Sequence, residues 1–145
     1  MSDPALALQN AIEAALRDDA TLQALFGGTV RLYTLTATLD DRGEARFPHI
    51  VIGQDQVIGD DTVCGEASEV SVTVHAYARE SRPSETRAKC KAIAGAIRAA
   101  LTRKLTLVGH VMDDWTFESA RHLTDPDGLT AHAVLDFTYL TSADA

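Results

Sequence analysis

The sequence predicts an α+β fold: a single antiparallel sheet, its strands mostly joined as hairpins, with two main helices packed on one face. Three observations predict it. Residues 4–17 and 83–103 carry apolar side chains at helical spacing. The remaining segments alternate apolar with polar residues or are rich in β-branched ones. Strands that follow one another through short turn signals pair antiparallel. At 145 residues and 15.6 kDa the chain has the size of one domain, expected over 1–145. Its hydrophobic content is 46%, enough for a core without a metal or disulfide staple. Alanine supplies 23 residues, so that core is expected to be thin and suited to close helix approach.

Asp3-Pro4 reads as a helix start: the carboxylate can cap free N–H groups, and proline at the first position lacks the N–H that would be orphaned. Ala5, Leu8, Ala11, Ile12, Ala15 and Leu16 then share one face over about 4–17, opposite Gln9, Glu13 and Arg17. Asp18-Asp19 interrupts the pattern. Leu22, Leu25 and Phe26 mark a shorter helix, about 20–26, closed by Gly27-Gly28. A strand is expected over 29–35, then an exposed loop over 36–46 carrying the turn signal Asp40-Asp41-Arg42-Gly43. Phe47 to Ile52 reads as a second strand, with Pro48 near its start, where a missing donor is tolerated. Residues 54–65 are acidic and glycine-punctuated, a loop or loose hairpin. Residues 69–79 alternate strictly, Val70, Val72, Val74, Ala76 and Ala78 against Ser71, Thr73, His75 and Tyr77, so one face is buried and the other is not. Arg82-Pro83-Ser84 opens the longest helix, with Cys90, Ile93, Ile97 and Leu101 on its apolar stripe and Arg87, Lys91 and Arg98 on another. Strands follow over about 105–112, 115–121 and 129–140, the last two joined through the turn Asp125-Pro126-Asp127-Gly128.

Composition excludes several functions. The net charge is −8, so a phosphate backbone is repelled on average. The start shows no basic run ahead of an apolar stretch, and no apolar run approaches the ~20 residues that span a bilayer, so a soluble protein folding in a cytoplasm is expected. His49, His75, His110, His122, His132, Cys64 and Cys90 are possible metal ligands, but none of them forms a CxxC or HxxxH pair, and Cys90 falls on an apolar helical stripe. Asp18-Asp19, Asp40-Asp41, Asp60-Asp61 and Asp113-Asp114 lie at expected loops or element ends, where solvated acids belong, and adjacency along a strand would point them apart. The Asp125–Gly128 tetrad stops after two acids, too few for a calcium loop. No GxSxG, GxxxxGK[ST] or GxGxxG motif occurs. No enzyme and no cofactor is expected.

Charge distribution is more informative. Residues 82–104 hold seven bases and one acid, a net of +6, which leaves −14 on the rest of the chain. A charged helix face is usually just solvated. The functional alternative is self-complementarity, a basic surface on one copy meeting acidic loops on the next, and a repeated head-to-tail contact of this kind closes into a ring where the rotation permits.

Taken in order, "DDATLQALFGG", "FPHIVIGQDQ", "EVSVTVHAYARE", "ETRAKCKAIAGAIRAAL" and "FESARHLTDPDGLTAHAVLDF" resemble the tail-completion, or tail terminator, proteins of long-tailed bacteriophages and phage-like gene transfer agents. The resemblance runs from about Ala5 to Tyr139. It implies a non-enzymatic virion part: a six-fold homomeric ring at the head-proximal end of the tail, which stops addition of the major tail tube protein and offers a surface to the head-completion connector. DNA is expected to pass through such a ring without specific binding, repelled by acidic residues in the channel. The loops at 34–46 and 54–66 are the expected contact regions. Candidate interface residues are Arg42, Arg46, Asp55, Asp60, Asp61, Arg87, Lys91 and Arg98. The alternative is a soluble α+β adaptor that binds a protein partner.

Overall fold

The structure, a computed structural model, describes residues 3–37, 39, 43, 45–59 and 66–144. Helix α1 (Pro4–Arg17) starts where the Asp3 carboxylate accepts the Ala5 N–H at 2.7 Å, with Pro4 in the first turn. Leu8, Ile12 and Leu16 on its inner face are buried. Asp18 ends α1, and the Asp19 carboxylate caps α2 (Ala20–Leu25) by accepting the Leu22 N–H at 2.9 Å. Gly27 then takes φ +75°, which lets the Gly28 N–H donate back to the Gln23 carbonyl at 2.8 Å.

The strands are β1 (Leu32–Tyr33), β2 (His49–Gly59), β3 (Ala67–Ala78), β4 (His110–Thr124) and β5 (Ala131–Ala143), with α3 (Pro83–Leu101) between β3 and β4. They form one sheet in the order β1-β2-β3-β5-β4. Three pairings are antiparallel, as expected, while β1 runs parallel to β2. Strand β3 leads through α3 to β4 with β5 lying between, so β3 and β4 point the same way and the helix makes the return crossing.

Several boundaries differ from the sequence reading, each for a local reason. The strand expected over 29–35 shrinks to two residues that pair only with Ile50 and Val51. Strand β2 continues to Gly59, through residues expected to be loop, because a bulge between Ile52 and Asp55 resets its alternation and returns Val57 to the core side. Of two expected strands, 105–112 and 115–121, the first loses residues 105–109, which are not strand, and the rest join in one 15-residue strand, kept continuous across the Asp113-Asp114 pair by bulges at Met112/Asp114 and Phe117/Ser119. The Asp125–Gly128 hairpin turn forms as expected, with Gly128 at φ +72°.

One contiguous core lies between the helices and one face of the sheet. Val70, Val72, Val74, Ala76 and Ala78 of β3 and Ala133, Leu135, Phe137 and Tyr139 of β5 meet Ile93, Ala94, Ile97 and Leu101 of α3. The small residues at Ala76, Ala94 and Ala133 permit the close approach that the alanine content predicted. Cys90 is buried there, its Sγ 3.7 Å from the Ala76 carbonyl, and burial pushes its thiol up to about 11, so it behaves as a small apolar group. Tyr139, fully buried, donates its hydroxyl to the Leu101 carbonyl at 2.7 Å and so satisfies an acceptor that the end of α3 leaves open. Tyr139→Phe keeps the ring and orphans that carbonyl. Urea denaturation of this variant is expected to show a loss of about 1–3 kcal/mol.

Candidate functional site

Two surfaces hold the side chains that the core leaves unused. The first runs where α3 lies beside β4, an edge strand of the sheet. Arg87, Lys91 and Arg98 recur at helical spacing and present one basic stripe. The stripe is not uniform. The Arg98 guanidinium sits over the Phe117 ring, 4.0 Å from its centroid, so this cation also covers the apolar flank of β4. All three are exposed, and Arg87 and Lys91 with His122 and Thr124 line a recess of about 170 Å³ at the start of α3.

The other predicted interface residues lie elsewhere. Asp55 is exposed just past the bulge in β2, and Arg46 is exposed ahead of that strand, its carbonyl accepting the His49 Nδ1–H at 2.9 Å. Strands β3 and β5 separate β2 from β4, three inter-strand spacings or about 14 Å. Within one copy the acid Asp55 and the α3 stripe therefore lie on opposite flanks of the sheet. Arg42, Asp60 and Asp61 lie outside the described residues, as do Asp40, Asp41 and Cys64.

The second surface is the sheet face away from the helices. Register places His49, Tyr77, His132 and Leu123 side by side across four strands. The Tyr77 ring stacks between two imidazoles, 4.7 Å from His49 and 4.2 Å from His132. One row along, His75 reaches diagonally to His132, with Nδ1 and Nε2 2.8 Å apart. His132 Nδ1 lies 3.4 Å from an Asp125 carboxylate oxygen. A carboxylate can only accept, so His132 carries its proton on Nδ1, its Nε2 accepts, and His75 donates from Nδ1. In the next row, Thr73 and Ser119 donate their hydroxyls to the two oxygens of Asp136, at 2.6 and 3.3 Å. At the turn Asp127 accepts the Leu129 and Thr130 N–H groups and the Thr130 hydroxyl, which hold its carboxyl down to about 2, and Arg79 adds an ion pair at 2.8 Å.

Sequence reasoning placed His75 on the polar face of a strand and named His132 as a possible metal ligand, but did not bring them together. They lie 57 positions apart, and only the register of β3 on β5 makes them neighbours. The strict alternation of β3 was the available signal, since it put His75 and Tyr77 on the same uncovered face. Among the described residues no group of three or more His, Cys, Asp or Glu side chains is arranged to hold a metal ion. No described helix is long and apolar enough to cross a membrane.

A family model described as tail completion protein gp17 matches residues 10–142. The chain belongs to that family. Its members are structural proteins of the tail, and this tail completion protein is not an enzyme. Among solved structures, a chain from the virion of a native gene transfer agent particle superposes with a TM-score of 0.80 at 22% identity, over 99% of this chain and 100% of that one. At that identity the likeness speaks for a shared α+β fold. No curated protein matches.

The uncovered face has a pH consequence. Burial is the main cause holding His49, His75 and His132 below the ordinary imidazole value of 6.5, with the mutual repulsion of the rings and nearby Arg31 and Arg121 adding to it. The folded state thus binds fewer protons on these rings than the unfolded chain does, and stability falls as pH drops from about 6.5 towards the lowered values. Urea midpoints are expected to decline between about pH 6.5 and pH 5, and His75→Gln with His132→Gln to flatten the decline.

Proposed function

We propose that the tail completion protein forms a homohexameric ring at the head-proximal end of a tail tube, ends the addition of the major tail tube protein, and presents a surface to the head-completion connector. Beyond family membership, one observation carries this reading: the basic stripe of α3 and the acid Asp55 lie on opposite flanks of the sheet. The cations Arg87, Lys91 and Arg98 line the β4 flank, and Asp55 stands on the β2 flank. One copy cannot bring these groups together, whereas a head-to-tail neighbour can, and a head-to-tail contact closes a ring when the rotation between copies allows. Charge pairing of this kind fixes orientation and speeds encounter more than it deepens affinity. Asp60 and Asp61 follow Asp55 in sequence and, with Arg42 and Arg46, complete the proposed contact set.

Termination needs two unlike surfaces, one that matches the last ring of the tube and one that refuses another tube subunit. A 145-residue wedge with a single helical layer on a sheet offers two such faces at low mass. The net charge of −8 favours free passage of DNA through the opening. The protein then works in the virion, at the end of the tail nearest the head, after assembly in the host cytoplasm.

Deleting the gene and imaging the particles tests the role. Overlong tails, or heads and tails left apart, are expected; normal particles would exclude it. For the interface, Arg87→Glu with Lys91→Glu is expected to lower incorporation into tails by about tenfold or more while the purified chain stays folded. Arg98→Glu is expected to cost stability as well, because it also removes the cover over Phe117. Unchanged incorporation by the double variant would show the stripe to be a solvated face.

A further inference from the structure

Asp125, His132 and His75 make a hydrogen-bonded chain that leads from the β4–β5 turn onto the open sheet face. Its proton count follows from its geometry. With Asp125 accepting from His132 Nδ1 and His132 Nε2 accepting from His75 Nδ1, one atom still has a free lone pair, His75 Nε2. A first proton can enter there without breaking any link. A second can enter only at His132 Nε2, and two N–H groups would then face each other across 2.8 Å.

The surroundings seat His75 closely on one side and leave it room on the other. Its Nε2 hangs over Gly53, 2.8 Å from where a Cβ on that glycine would stand, so the ring occupies space that only glycine leaves. Beside it opens a recess of about 480 Å³, walled by Leu35, Val51, Val134 and Arg121, with Asp136 in its lining. The charged groups facing the imidazoles from the packed elements are Asp136 on β5, Arg121 on β4, Asp125 in the turn, and Arg31 beside His49. Asp136 favours a charged His75, and Arg121 opposes one on either ring.

We propose that Asp125, His132 and His75 form a proton-counting switch on the open sheet face, closed through the first protonation and opened by the second, when His75 swings off Gly53 towards Asp136. Opening converts a pair of rings that shares one positive charge into two adjacent cations beside Arg121. The open face thereby changes from a hydrogen-bonded, nearly neutral surface to a basic one. The turn does not open with it, because the Asp127 carboxyl that joins Thr130 and Arg79 is held down to about 2.

Long-range imidazole ¹⁵N NMR of the full chain, recorded from about pH 8 to pH 4.5, reads the switch directly. The expected result is the Nδ1–H tautomer of His75 at neutral pH, then two protonation steps separated by about one pH unit or more, His75 first and His132 second. Asp136→Asn is expected to move the His75 step down by about half a unit to one unit. Gly53→Ala, which crowds the ring, is expected to merge the steps while circular dichroism shows the fold retained. An Nε2–H tautomer of His75 at neutral pH would overturn the proposal. So would a single shared midpoint for the two rings in the unaltered chain, or an Asp136→Asn variant that leaves the His75 step in place.

Discussion

The pairing of β3 with β5 is the constraint on which the rest of this structure depends. Twelve residue pairs, from Ala67 with Ser142 to Ala78 with Ala131, run without a bulge, whereas both flanking ladders carry irregularities. Side chains alternate strictly along an unbroken ladder, so this pair divides the molecule into two surfaces. On one side Val70, Val72, Val74, Leu135, Phe137 and Tyr139 build the floor on which the helices sit. On the other, His75, Tyr77, His132 and Asp136 stand free of helices. A slip of one residue would exchange the two sets, burying imidazoles and a carboxylate and exposing the core.

The flanking strands absorb the irregularity that the central pair refuses. Each bulge lies in β2 or β4, and the one past Ile52 returns Val57 to the core side beyond a glycine-containing stretch. These strands also carry Asp55, exposed on one flank, and on the other Phe117, half-buried beneath Arg98. Bulges and charges together discourage indiscriminate pairing at an edge, which a protein meant to assemble in only one geometry requires. The alanine-rich interior belongs to the same economy: Ala76, Ala94 and Ala133 bring α3 close to the sheet, leaving its basic side turned outward beside β4.

Legibility in the sequence followed the range of the interactions. Helices α1 and α3 were readable because their caps and apolar stripes are local: Asp3-Pro4 lies beside the helix it starts, and Cys90, Ile93, Ile97 and Leu101 recur within one segment. The Asp125–Gly128 turn was readable for the same reason. Strand β2 beyond Ile52 was not, since a bulge hides the alternation that marks a strand, and β4 was split in two by Asp113-Asp114, which taken alone resembles a loop. The parallel seat of β1 could not be seen either, because two residues carry no periodicity and their partners, Ile50 and Val51, lie some twenty positions away.

By itself, then, the sequence determined an α+β chain with an alanine-rich core, a basic third helix on an acidic body, and the ordered segments that mark a tail completion protein. Each of these is written in neighbouring residues or in summed charge. Tertiary structure alone decided that Arg98 rests on Phe117 while Arg87 and Lys91 line a recess beside β4, that Asp55 stands on the opposite flank, and that His75 meets His132 beside Asp125. Those meetings depend on strand order and register, which are set by long-range packing of the core and leave no local trace in the polar residues they bring together.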